Sequence, residues 1–277
     1  MVKQDKSIEG AVAAAEPVAD AAMDAKMREI WGRLEKPWVR KILQQSLPPT
    51  RITSMGCDFI VHPRDNFTEF RMWENGLPPE HEATLHLADL LADSDAVIVD
   101  VGANAGAFSL PIIKRAGQGA RAALFEPNPV MRARLQVNLD LNALGMAKVF
   151  DCAISDVTGS ARLHFPGNGN LGQGRIGQGY DGPNAREGVE VVLRPLADCL
   201  QEAGFDRVDL LKVDVEGLED RVIAPLLQTE GAPRPRLIYV EVEHQGGWAY
   251  PLLEVLEEAG YTELRSFGKN RLFQHEH

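Results

Sequence analysis

The sequence predicts an α/β fold built on a mostly parallel, Rossmann-like sheet, and three observations carry that expectation. Val97-Ile98-Val99 is a short apolar run of the kind that forms a strand covered on both faces, and a glycine-containing turn follows it. Between residues 96 and 242, short apolar runs alternate with stretches of helical periodicity, the pattern of successive βαβ units. Residues 261–267 and 271–274 then read as a hairpin-like pair that closes the chain.

Each element follows in order. Residues 1–25, rich in Ala, Asp and Glu and holding Pro17, are expected as a disordered or loosely helical tail. Over 26–47, Met27, Ile30, Trp31, Leu34, Trp38, Ile42 and Leu43 recur at near-helical spacing, and Pro37 divides the stretch in two. Residues 51–73 read as short strands with turns near Pro63-Arg64-Asp65-Asn66, and 80–93 as a helix. Together, 26–94 are expected to form an accessory layer before a core domain at 95–277.

In that core, the strand at 97–99 leads through a turn to a helix at 107–116. Ala122-Ala123-Leu124-Phe125 is a second strand ending at Glu126-Pro127, then come a helix at 129–143 and a third strand near 147–154. Residues 160–165 and 188–193 alternate and are expected to pair antiparallel. The segment between them, 166–187, has seven glycines and no period. A loop of that length in a compact domain is functional or disordered, and it is expected to be a lid. A helix at 195–204, strand at 208–213, helix at 217–228, strand at 237–242 and helix at 250–259 complete the alternation.

Composition narrows the function. The 277 residues are 44% apolar and 25% charged, with a net charge of −11. That is globular composition, and its surface repels a phosphate backbone, so nucleic acid is not an expected partner. No run of 18 apolar residues exists, so no membrane span is expected. Glu9, Glu16 and Asp20 interrupt the alanine-rich start, which argues against a secretory signal. Cys57, Cys152 and Cys199 are far apart and form no CxxC pair, which points to a reducing, cytoplasmic compartment. No metal is expected from spacing, since no H-x-x-x-H pattern occurs.

The most informative segment is Asp100-Val101-Gly102-Ala103-Asn104-Ala105-Gly106, at a strand-to-helix junction where open α/β sheets bind ligands. Its G-x-x-x-G spacing differs from the G-x-G-x-x-G of dinucleotide sites. Asp100 ends the strand before the loop, and Glu126 ends the next strand, 20 residues after Gly106. A carboxylate at that second position can accept two hydrogen bonds from ribose hydroxyls; Asp100 serves either the ligand or the loop amides. A ligand with no pyrophosphate but with a cationic sulfonium and an amino group suits this acidic pocket, so S-adenosyl-L-methionine fits better than NAD. Asp151-Cys152-Ala153 ends the third strand where an adenine edge would lie. Asp151 can accept from the exocyclic amine, and a neighbouring main-chain N–H can donate to the ring.

Taken with Phe125-Glu126-Pro127-Asn128 and Leu211-Lys212-Val213-Asp214-Val215-Glu216-Gly217, this loop resembles the FkbM-type S-adenosylmethionine-dependent methyltransferases. Asn138 and Ala153-Ile154-Ser155-Asp156 also suit that family, and the resemblance spans roughly residues 55–275. It implies a class I methyltransferase fold, seven strands with the last antiparallel, and methyl transfer to a hydroxyl of a sugar, glycan or polyketide-type small molecule.

Such a transfer needs a base for the hydroxyl proton. Asp214, at the carboxyl end of the 208–213 strand, is the expected base and also a cofactor contact; capping of the next helix is its alternative role. Lys212, on the same strand face, is expected to pair with Asp214 or Glu241, and Glu216 to occupy the next helix's first turn. Glu241 and Glu243 share a face if their strand continues, and His244 is a second candidate base. Asp214, Glu241 and His244 can alternatively converge on a divalent cation. Trp73 and Trp248 either stack on a sugar or pack in the core. Two other readings stand beside the O-methyltransferase: a non-catalytic cofactor-binding module of an assembly, and an NAD-linked oxidoreductase.

Overall fold

The computed structural model describes residues 17–177 and 186–275, with backbone only at 186 and 187. Positions 1–16 of the expected tail, and 178–185 of the expected lid with Tyr180, lie outside the described residues.

The chain opens with helices α1 (Ala21–Arg33) and α2 (Pro37–Gln45) and the hairpin β1 (Thr50–Ser54) with β2 (Cys57–Val61). Helix α1 begins inside the expected tail because Asp20 caps it, accepting a hydrogen bond from the Met23 amide at 2.7 Å. Pro37 does divide the stretch, by occupying the first turn of α2, where its missing N–H costs nothing. Next come α3 (Phe67–Asn75) and α4 (His81–Leu90). Helix α3 corrects the expectation of strand up to residue 73. Asn66 caps it through the Glu69 amide at 3.0 Å, and Phe70 and Trp73, one turn apart, close on Trp31 of α1 with ring centroids at 5.3 and 5.7 Å.

The core follows as β3 (Val97–Val101), α5 (Ser109–Ala116), β4 (Arg121–Phe125), α6 (Pro129–Leu141) and β5 (Ala147–Phe150). The expected third strand breaks at Asp151, and β6 (Cys152–Ile154) pairs instead in a second sheet. That four-stranded sheet also holds β7 (Gly159–Phe165), β8 (Arg175–Ile176) and β9 (Arg186–Arg194), with β7 and β9 antiparallel as expected. The chain ends through α7 (Leu196–Ala203), β10 (Leu210–Val213), α8 (Glu219–Gln228), β11 (Leu237–Glu241), α9 (Leu252–Glu258), β12 (Tyr261–Phe267) and β13 (Asn270–His275).

The large sheet runs β12-β13-β11-β10-β3-β4-β5, with only β13 antiparallel to its neighbours. The chain builds outward from β3 to one side, then returns to β10 on the other. Loops leaving β3 and β10 therefore part and open a crevice at their carboxyl ends.

Alternation along β3 explains why all five of its residues are buried. Ile98 packs with the helices on one face, while Val97, Val99 and Val101 pack with α7, α8 and α9 on the other. Asp100, Lys212 and Tyr239 are register partners on β3, β10 and β11, so they form a polar row on the Ile98 side. The N-terminal layer covers that side and shares its core: Leu47, Phe59 and Trp73 cluster with Ile98 and Leu110. Polar contacts lock it there. Asn138 on α6 accepts from the Ile60 amide and donates to the Ala105 carbonyl, both at 2.9 Å. Arg134 ion-pairs with Asp65 at 2.8 Å and Glu69 at 2.7 Å in nearly complete burial.

Candidate active site

The turn after β3 is shaped by how closely the ends of β3 and β10 approach. Gly102 has φ +86°, and a Cβ there would lie 2.0 Å from the Asp214 carbonyl oxygen, so only glycine fits. The amides of Gly102 and Ala103 both donate to the Phe125 carbonyl at 3.0 Å, and the Asn104 amide donates to Glu126 Oε2 at 2.8 Å. The other Glu126 oxygen accepts from the Asn128 amide at 2.8 Å. Glu126 is thus buried with one backbone donor on each oxygen. Burial pushes its carboxyl up to about 7, against the pull of those two amides.

Lys212 joins the turn to β10. Its Nζ donates to the Gly102 carbonyl at 2.8 Å, lies 3.1 Å from Asp100 Oδ1 and 4.0 Å from Asp214 Oδ2. Burial alone would lower its pKa, but Asp100, then Asp214 and Glu80, outweigh it and raise the pKa. Of the two expected partners, Asp214 is met and Glu241 is not; Asp100 takes the closer place, because Lys212 and Asp100 are direct register neighbours while Glu241 lies farther along β11.

A cavity opens over these strand ends. Residues 102–104, Glu126, Cys152, Ala153, Lys212 and Asp214 line it, bringing together most of the expected site. Asp100 is wholly buried beneath the turn and holds Lys212 rather than facing the cavity. Gly106 lies behind it, packed so that a Cβ would meet Leu110 at 2.3 Å. Asp151 is exposed, since it sits at the break between β5 and β6, and it does not line the cavity. Residues 170–174 form a roof. The Leu171 amide donates to the Asp65 carbonyl at 2.7 Å, and Asn128 Nδ2 donates to the Leu171 carbonyl at 3.0 Å. Gly172 passes so close that a Cβ would lie 2.7 Å from Asn104 Nδ2.

Beyond Asp214 lies a charged cluster. Glu216 precedes α8 with φ 59° rather than occupying its first turn, and burial, then Asp214, raises its pKa. Arg175 approaches Glu216 at 3.4 Å and His244 Nε2 at 3.3 Å. His244 Nε2 is 3.9 Å from both Glu216 and Glu241, outside the cavity lining. Glu241 is buried and ion-pairs with Lys269, which also meets Glu243 at 3.2 Å. Burial, then Asp214, pushes the Glu241 carboxyl up to about 7.

Here the structure decides between alternatives for Asp214 and for the two tryptophans. Asp214 does not cap α8, whose N-cap is Leu218; Glu219 gathers the Val215 and Gly217 amides instead, at 3.1 and 3.0 Å. Trp73 is sealed in the core, donating to Asp24 at 2.7 Å, and Trp248 donates to Glu219 at 3.1 Å. Asp214, Glu219 and Glu241 bring carboxylate oxygens within 4.8 Å of one another, and Glu241, Glu243 and His244 bring two carboxylate oxygens and a ring nitrogen as close. Their own chain already occupies them: Glu219 through two amides and Trp248, Glu241 and Glu243 through Lys269.

Sequence reasoning missed Glu80 and Lys269, both in the cavity wall. Neither lies in a recognisable motif, and only the long-range fold delivers them.

Four carboxylates (Glu80, Glu126, Asp214 and Glu216) face two ammonium groups (Lys212 and Lys269) among the described lining residues. That balance, with the turn at Gly102 pressed against Asp214, suits a cationic sulfonium ligand carrying a ribose. The pattern describing the methyltransferase FkbM domain matches residues 100–263. Methyltransferase sdnD of Sordaria araneosa is 34% identical over 62% of this chain and 76% of its own length. The 2-O-methyltransferase NoeI of Sinorhizobium fredii is 32% identical over 57% and 68%, respectively. The 31-O-demethyl-FK506 methyltransferase FkbM of Streptomyces tacrolimicus is 29% identical over 60% and 72%.

Proposed function

The chain belongs to the FkbM methyltransferase family and uses S-adenosyl-L-methionine, and from that premise we propose that it methylates a hydroxyl oxygen of a sugar, glycan or polyketide-type small molecule. The observation that carries this reading is Asp214. Its carboxylate follows β10, lines the cavity, lies 4.0 Å from Lys212 Nζ and caps no helix, while its main-chain carbonyl packs against the Gly102 turn. NoeI and FkbM, as their names state, are O-methyltransferase relatives, which supports oxygen as the acceptor atom.

The bound cofactor supplies an electrophilic methyl group on a cationic sulfur. The remaining work falls to this chain. Glu126 would take ribose hydroxyls on the lone pairs its two amides leave, and Cys152 and Ala153, in the cavity wall, would hold the adenine. Asp214 would accept the proton that the acceptor hydroxyl must lose for its oxygen to take the methyl group. Lys212 is a positioning residue: it ties the Gly102 carbonyl to Asp100 and keeps the turn and Asp214 in fixed relation. The roof at 170–174 excludes water and orders further around the acceptor. No helix among the described residues is long and apolar enough to cross a membrane, and three buried free cysteines suit a reducing, cytoplasmic setting.

The test is methyl transfer to a panel of hydroxylated acceptors, read by mass spectrometry, with Asp214→Asn beside the wild type. Product from the wild type and a kcat roughly 10²–10⁴ lower in the variant are expected. Near-normal turnover in Asp214→Asn would move the base role to His244.

A further inference from the structure

Glu80 lies outside residues 100–263 and precedes α4 in the N-terminal layer. It occupies the N-cap position, yet its side chain makes no capping hydrogen bond to its own helix. It turns to the sheet instead. Its Oε1 accepts from Tyr239 Oη at 3.1 Å and from Asn270 Nδ2 at 2.7 Å. Those two donors hold the carboxylate in the wall of the cavity, above the Asp100, Lys212 and Tyr239 row.

The ligand chemistry follows from what is already committed. Lys212 is spent on the Gly102 carbonyl and on ion pairs with Asp100 and Asp214. Glu126 and Cys152–Ile154 sit on the β4 and β6 side, where the adenosine part of the cofactor fits. The amino-acid part must then cross the Gly102 turn toward β10. Glu80 and Asp214 are the two lining acids on that side that interact with Lys212, while Glu216 belongs to the Arg175 and His244 cluster. We propose that Glu80 anchors the α-ammonium group of S-adenosyl-L-methionine, so that the N-terminal layer completes the cofactor site. Asp214 and Asp100 add negative charge around Glu80, and Lys212, already paired with Asp100, is the one cation among the described groups that act on it. Burial, then Asp214 and Asp100, pushes the carboxyl up to about 7, while Lys212 and Tyr239 pull it down. An added ammonium relieves the repulsion between the acids.

This rests on the cofactor and is independent of the acceptor assignment. Calorimetry at pH 8 with S-adenosylhomocysteine, which carries the ammonium, and 5′-methylthioadenosine, which lacks the whole amino acid, tests it. Glu80→Gln should weaken the first ligand about tenfold to a hundredfold and leave the second within about twofold. Tyr239→Phe, which removes one of the donors holding Glu80, should weaken only the first ligand, by a smaller factor. The wild type should also release protons on binding S-adenosylhomocysteine near pH 7, seen as a buffer-dependent heat, and Glu80→Gln should release fewer. Equal losses for both ligands, or no loss for S-adenosylhomocysteine, would overturn the assignment. Failure of the wild type to bind either ligand would overturn the cofactor reading itself.

Discussion

The two ends of the cavity are built differently. At the Glu126 end, each polar atom is satisfied by backbone close by in sequence or on the adjacent strand: the Asn104 and Asn128 amides hold the carboxylate, and the Phe125 carbonyl holds the turn. At the Asp214 end, Glu216 before α8 and Lys269 before β13 line the cavity, and Arg175 on β8 and His244 after β11 meet Glu216 just beyond it. A site for a constant ligand can be written into one strand-turn-helix unit. A site for a variable ligand is assembled from loops that can change independently, and on the proposed function the Asp214 end is the one we assign to acceptor choice.

Substitutions separate the ends, and the largest effect belongs to the reacting one. Asp214→Asn should lower kcat by about 10²–10⁴, since Asn keeps the shape and loses the basicity. Next comes the hinge between the ends. Gly102→Ala puts a methyl group against the Asp214 carbonyl in a left-handed conformation, so it should cost at least ~3 kcal/mol. A thermal melt should then show Tm lower by roughly 6–12 °C. An unchanged melt would mean that β3 and β10 do not meet this closely.

Glu126→Ala should weaken cofactor binding by roughly 1.5–3 kcal/mol in calorimetry while sparing kcat at saturation. Its pH signature is smaller. The Glu126 carboxyl titrates near 7 in the folded chain against 4.5 ordinarily. Folding therefore takes up a proton between those values, and this group's contribution to stability falls as pH rises through that window. Ribose hydroxyls favour the ionised form, so binding of 5′-methylthioadenosine should tighten by about tenfold from pH 6 to 8. Glu126→Gln should flatten that profile; a flat wild-type profile would remove Glu126 from the ribose.

The same contrast decides what was legible in the sequence. The Gly102 turn, Glu126 and Asp214 are visible because their spacing follows from one local unit, and the terminal hairpin is visible from its alternation. The helical character of 67–75 was hidden, since it depends on Trp31 closing over Phe70 and Trp73. Lys212 was legible as a buried lysine needing an acid, but which acid depended on strand register. Glu80 carried no local signal, because its partners Tyr239 and Asn270 lie 159 and 190 residues away.

The division of labour is tested most directly by titrating S-adenosylhomocysteine into Asp214→Asn and Glu126→Gln under one set of conditions. The account predicts that Asp214→Asn binds within a few-fold of the wild type although its turnover has collapsed, while Glu126→Gln binds about tenfold or more weakly. Loss of affinity in Asp214→Asn equal to that in Glu126→Gln would contradict it, making Asp214 chiefly a cofactor ligand.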